Sequence, residues 1–415
     1  MELKDFILEN WSKTIREAKE AKDRIIPLPK PFTIPSIADY FQEMYYWDTY
    51  FTNVGLFVSG LTQQAIDNCE NMSYVINKYG FFPNATRTHF LKRSQQPYFA
   101  FIVKDIYEVT KDDQWLKERY AEIKKEYEWW MTNRITELGL NRYGDSGETI
   151  EACKENGFYA LHRMKVEDFK GDVVTCGRNH FAVCESGWDT SPRFGERCMY
   201  ACPIDLNCNL YFYETFLDEL QGKFEIADGI DWKEKAQTRK ELIDKYLWNE
   251  EKQIYLDYDF VEEKQFDCLN AAAFQPYFVG LADESKRQGL ENCYKLFVKE
   301  FGVASTDRYY GNFQWAYPNG WAPNNYIAYH AFKNYGLNKY ANEVADKYMI
   351  LIEKVFKETG TTFEKYNVVE GSDSTYDEGT ASDEKNTHHT MMGWTTGVYM
   401  YFYNLKMQEN EALKK

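Results

Sequence analysis

At 415 residues, with 44% hydrophobic and 27% charged side chains, the chain has the composition of an ordinary globular protein and can bury a large core in one or two domains; disordered and collagen-like classes are excluded. A formal charge of −16, from 49 basic and 65 acidic residues, repels a polyanionic backbone, so no nucleic-acid partner is expected. Aromatic residues are the outlier: 33 Tyr, 28 Phe and 11 Trp suit surfaces that hold apolar and polar groups together, sugars among them.

Helical spacing begins at once, with Leu3, Phe6, Ile7, Trp11 and Ile15 three and four residues apart. The stretch Met1 to Arg24 mixes charges with spaced apolar residues and lacks a signal-like apolar run. Further helices are predicted over 48–60, 64–79 and 97–110, then through Leu116, Tyr120, Ile123, Tyr127 and Trp130. After these come 204–222, 228–247, 267–280, 284–301, 321–335, 337–357 and 390–407. Short links such as Gly60-Leu61-Thr62 and Tyr335-Gly336-Leu337 join them into antiparallel hairpins. About six such hairpins can stack as a solenoid or close into a ring, and the pattern leaves both open. Two segments, 138–203 and 359–389, break the rhythm and read as long functional loops. No run is long and apolar enough for a membrane span, and the nine cysteines, an odd number, suit reduced thiols. These features together predict a cytoplasmic protein without a membrane partner.

Four stretches carry candidate chemistry. Around Tyr45-Tyr46-Trp47-Asp48-Thr49-Tyr50-Phe51, five aromatics surround one acid, and Pro83 to Arg87 and Arg93 to Pro97 add planar polar side chains. Asp, Asn, Gln and Arg can pair with adjacent hydroxyls while an aromatic ring covers a sugar face; an aromatic core helix followed by a polar loop would look the same. In Glu185-Ser186-Gly187-Trp188-Asp189, a carboxyl beside an indole would be partly desolvated, which favours the neutral form that a general acid needs, although a loop Asp more often caps a turn. Gln314-Trp315-Ala316-Tyr317-Pro318-Asn319-Gly320-Trp321 is a turn between aromatic walls. Glu364, in Phe363-Glu364-Lys365-Tyr366, is the second carboxylate that glycoside hydrolysis requires. Other chemistries lack their patterns. Cys198, Cys202 and Cys208 are not spaced as a closed zinc site, His388-His389 reads as a solvated pair, and no Gly-rich phosphate loop occurs. No cofactor and no metal are expected.

The strings YYWDTYF, PNATRTHFLKRSQQP, ESGWDTSPRF, PIDLN, QWAYPNGWAP, FEKYNV and GWTTGV resemble, in this order, those of the trehalase family of glycoside hydrolases, from about residue 36 to residue 400. The resemblance implies an all-α (α/α)6 barrel, one catalytic domain over 1–415 with its pocket at one end, and inversion at the anomeric carbon. It makes Asp189 the general acid and Glu364 the general base. Sugar binding falls to Trp47, Asp48, Asn84, Arg93, Gln95 and Gly187, with Gln314 and Trp315 lining the same pocket. The implied substrate is a small carbohydrate, α,α-trehalose or a close α-glucoside. The alternatives are another disaccharide or a glycosyl glycerate, or binding without catalysis.

The chain departs from the family pattern in four places. Tyr40 stands where a substrate-binding Arg is expected, and Ala316 replaces an Asp. An Arg- and Glu-containing string before the acid has only Arg163, Glu167, Arg178 and Glu185 as candidates, and a Gly-rich string ending in Glu-Tyr has only Glu378 or Glu384.

Overall fold

The computed structural model describes residues 1–144, 147–164, 166–375 and 390–412. Glu378, Glu384 and the His388-His389 pair lie outside the described residues. The first half of the chain forms α1 (Leu3–Asn10), α2 (Tyr46–Val58), α3 (Thr62–Tyr79), α4 (Phe99–Thr110), α5 (Asp113–Asn133), α6 (Ile150–Arg163) and α7 (Val173–Glu185). The second half forms α8 (Ile204–Phe224), α9 (Trp232–Tyr246), α10 (Gln275–Phe278), α11 (Arg287–Phe297), α12 (Ala322–Asn334), α13 (Asn338–Thr359) and α14 (Gly393–Ala412).

Their packing answers the choice between stack and ring. Helix α2 contacts α4, α4 contacts α8, α8 contacts α10, α10 contacts α12, α12 contacts α14, and α14 returns to α2. Outside this closed ring, α3, α5, α9, α11 and α13 each pack on an inner helix or the 3-10 turn leading into it, and α1 lies against α13. Trp11, just after α1, donates its indole N–H to Ser59 at the end of α2 (3.2 Å). The result is an (α/α)6 barrel.

The two layers differ as their surroundings require. Outer α13 buries Ala341, Val344, Ala345, Tyr348, Ile352 and Val355, one stripe at helical spacing. Inner α2 is buried continuously from Tyr46 to Leu56, because neighbours enclose it on all sides. Where α2 meets α14, Gly55 and Gly397 face each other, and a Cβ on either would strike the other helix's backbone. The Asp112 carboxylate caps α5 by accepting the Trp115 N–H (3.0 Å), and Asp231 caps α9 by accepting that of Glu234 (2.8 Å).

The 138–203 segment is not the loop that was expected. It holds α6 and α7, an inserted hairpin between outer α5 and inner α8. Gly157 and Gly177 bring the two helices into backbone contact, so the hairpin closes on small residues and lacks a long apolar stripe. The predicted 267–280 helix is a 3-10 turn, Ala271–Phe274, followed by the short α10.

Each outer helix runs back along its inner partner, so the inner helices all start at the same end of the ring. The loops entering them carry the motifs: 83–97 leads into α4, 186–203 into α8 and 312–321 into α12. An antiparallel pair of strands, Asn319–Trp321 with Lys365–Asn367, ties two of these loops together, with Trp321 opposite Lys365. Among the described residues, no helix is long and apolar enough to cross a membrane.

Candidate active site

The first turn of α2 supplies Trp47 and Asp48, and the surrounding loops are stitched to it. The carbonyl of Asn84 accepts the Tyr46 N–H (3.1 Å), while the Asn84 N–H donates to the carbonyl of Arg93 (3.1 Å). The side-chain oxygen of Gln95 accepts the Trp47 N–H (3.4 Å). The Arg93 guanidinium sits 4.9 Å from the Phe90 ring and 5.5 Å from Phe181, and its Nε is buried without a partner.

At the start of α2, Trp47 joins Trp188, Trp315, Trp321 and Trp394 in one aromatic cluster. Trp315 stacks on Trp321 (4.0 Å, 2°) and on Trp188 (4.9 Å, 26°), and it lies 5.5 Å from Trp47. Trp394 stands edge-on to Trp47 and Trp321. Gly187 has φ +73°, and a Cβ there would lie 3.0 Å from the Trp47 ring, so this glycine answers both a backbone and a space requirement.

Asp189 follows at the rim. Gln314 donates its amide to the Asp189 carbonyl and carboxylate (both 2.8 Å), and Arg163 Nη1 lies 3.6 Å from the same carboxylate oxygen. The Trp188 indole stacks on Trp315, and the Asp189 side chain is 37% exposed, partly shielded from water. Behind the loop, fully buried Arg193 binds Asp205 (2.6 Å) and Asp257 (2.7 Å) and lies 4.9 Å from the Trp188 ring. The loop is thus braced one turn of chain beyond its acid.

Glu364 enters from the opposite loop. Its carbonyl accepts the Trp394 indole N–H (3.2 Å), and its carboxylate lies 3.7 Å from the ammonium of Lys365. Lys365 is fully buried and its ammonium also sits 5.2 Å from the Trp321 ring. Asp48 relates the two loops electrostatically. Burial first, then the charge of Glu364 and more weakly that of Asp189, push its carboxyl up from 3.8 to about 8. One buried acid at the start of α2 therefore feels both carboxylates. Among the described residues, no group of three or more His, Cys, Asp or Glu side chains could hold a metal ion.

The sequence profile of the trehalase family matches residues 2–406. The chain belongs to the trehalase family. This trehalase-family chain is therefore a glycoside hydrolase. It is similar to the periplasmic trehalase of Xanthomonas campestris pv. campestris (strain B100), 31% identical, with 97% of this chain and 73% of that protein covered. It is 28% identical to the periplasmic trehalase of Pseudomonas aeruginosa, covering 97% of this chain and 76% of that protein. Among solved structures, the neutral trehalase Nth1 of Saccharomyces cerevisiae superposes with a TM-score of 0.75 at 26% identity, covering 91% of this chain and 73% of that one. A GH63 mannosylglycerate hydrolase from Thermus thermophilus shares the fold, with a TM-score of 0.65 at 14% identity over 97% of this chain and all of that one.

The cytoplasmic expectation is overturned, because the curated relatives named here are periplasmic enzymes. Thiol count was a poor guide to compartment. Eight of the nine cysteines are buried, and a buried thiol stays reduced in an oxidising compartment as readily as in a reducing one.

The ten site residues predicted from the sequence come together at one end of the trehalase-family barrel. Three neighbours were not singled out there: Lys365, Trp321 and Trp394. Both tryptophans were visible in the quoted strings, whereas the burial of a lysine beside a glutamate leaves no sequence signal. Of the candidates for the missing Arg- and Glu-containing string, Arg163 reaches Asp189, while Glu167 and Arg178 are exposed. Glu185 is buried and accepts from Ser94 N, Gly144 N and both Nε and Nη2 of Arg134 (2.7–2.9 Å), so it holds loops in place and does not line the pocket.

Proposed function

We propose that this trehalase-family hydrolase cleaves α,α-trehalose to two glucose molecules with inversion, as one catalytic domain. Asp189 protonates the bridging oxygen, and Glu364 draws a proton from the water that attacks the opposite face of the anomeric carbon. The observation that supports the reading is that one tryptophan cluster, Trp47, Trp188, Trp315 and Trp394, joins the loop of Asp189, held by the Gln314 amide (2.8 Å), to that of Glu364, whose carbonyl accepts the Trp394 N–H (3.2 Å). Inversion requires about 6.5–9.5 Å between the two carboxyls, enough for one water.

Trp47, Asp48, Asn84, Arg93, Gln95 and Gly187 hold the glucose that undergoes attack, and Gln314 and Trp315 orient the acid and the pocket floor. The proton on Asp48 at neutral pH gives it a donor for a sugar hydroxyl. By analogy with the named relatives, the reaction runs in the periplasm.

Proton NMR of trehalose hydrolysis tests the proposal. The first products should be equal amounts of α- and β-glucose, one retained in the leaving sugar and one inverted by water attack. Formation of α-glucose alone, or no hydrolysis of trehalose, would contradict it.

A further inference from the structure

Lys365 opens the strand that pairs with Asn319–Trp321, directly after Glu364. Neighbours along an extended chain point to opposite sides, yet the Lys365 ammonium comes within 3.7 Å of Glu364 Oε2. The lysine side chain is 0% exposed, whereas that of Glu364 is 13% exposed and reaches the pocket. Full burial of a lysine is rare and costs the hydration of its charge, so a cation held here acts on whatever stands beside it. Its position is fixed from behind. Trp321, opposite Lys365 in the pairing, sets its ring 5.2 Å from the ammonium, stacks on Trp315 (4.0 Å) and donates its indole N–H to the Gln314 carbonyl (3.0 Å).

Two acids compete for a proton in front of this cation. Asp48, buried in the first turn of α2, feels first its burial and then the charge of Glu364, with Asp189 from the loop before α8 acting more weakly. Neighbouring buried carboxyls do not both ionise freely, and the surrounding charges decide which one keeps the proton. The cation stands against Glu364. Burial, and more weakly Asp373, push the Tyr366 phenol up, so it carries no charge. The paired strand Asn319–Trp321 and the first turn of α14, Gly393 to Thr396, contain no charged residue.

We propose that Lys365 is a positioning residue that selects which of the two acids serves as base: its buried ammonium keeps Glu364 ionised and leaves the shared proton on Asp48. The proposal rests on the reading of Glu364 as general base.

The test is the pH profile of kcat/KM for α-D-glucosyl fluoride, whose fluoride departs with little help from Asp189, so that the acid limb reports the base. With the cation in place, the wild-type limb should lie below about 5, close to an ordinary glutamate despite the burial. In Lys365→Met, similar in length and uncharged, the limb should move up by about 1–2 pH units, while kcat/KM above it returns to within about tenfold of wild type. A lysine with a merely structural role would lower the whole profile and leave the limb where it was. A wild-type limb above about 5, which needs no variant to fold, or a folded Lys365→Met with its limb within about 0.3 unit of wild type, would overturn the proposal. Continued hydrolysis of the fluoride by Glu364→Gln at the wild-type rate would instead overturn the base assignment on which it rests.

Discussion

Replacing Asp48 by Asn should flatten a loss of stability that the wild-type protein shows as pH rises from about 4 to about 8. The Asp48 carboxyl titrates near about 8 in the folded protein, against 3.8 for the ordinary side chain. Below the ordinary value both folded and unfolded chains carry the proton, and burial costs nothing extra. As pH rises, the unfolded chain releases its proton while the folded one retains it, so stability drains away until the folded group titrates. The interval of about 4 pH units, at about 1.36 kcal/mol each, caps the effect near 6 kcal/mol. Because the effective dielectric around a buried acid lowers that limit, roughly 2–3 kcal/mol is the expected difference between wild type and variant at pH 8. With an unfolding entropy of about 2.1 cal/mol/K per residue over 415 residues, that corresponds to roughly 3 °C in Tm. Thermal melts of both proteins at matched scan rate, from pH 4 to pH 8, measure it. The variant should gain on the wild type as pH increases. Parallel curves would refute the placement of Asp48 as a buried acid repelled by its neighbours.

Two further substitutions probe the scaffold of the pocket. Gly187→Ala places a methyl against the Trp47 ring at a backbone φ of +73°, so kcat/KM should fall about tenfold while Tm drops by only about 1–2 °C; unchanged kinetics would contradict the close approach. Glu185→Gln leaves Arg134 buried without its counter-charge and should cost about 3–5 kcal/mol, or roughly 3–6 °C, read by calorimetry. A melt like that of wild type would show that this buried pair does not brace the loops.

Much of this architecture was readable because outer helices such as α13 bury one stripe and display it at regular spacing. Inner helices such as α2 were readable for another reason, their continuous apolar and aromatic content. The α6–α7 hairpin escaped because its helices meet through Gly157 and Gly177 and need no long apolar stripe. The grouping of the candidate site residues was legible through Trp-rich strings, since Trp47, Trp188 and Trp315 pack together in the fold. Electrostatic pairings were not legible. The ion pair between Arg163 and Asp189 depends on the α6–α7 hairpin, and Lys365, next to Glu364 in the chain, carries no sign of its burial. Compartment was misread because cysteine parity is not a physical property of the fold.

The division of labour between the two carboxylates is tested most directly by steady-state turnover of trehalose by Asp189→Asn and Glu364→Gln. Each should lower kcat by about three orders of magnitude or more, with KM changed only a few-fold, because each group acts in the transition state and contributes little to holding the sugar. Either variant turning over trehalose at the wild-type rate would contradict the account.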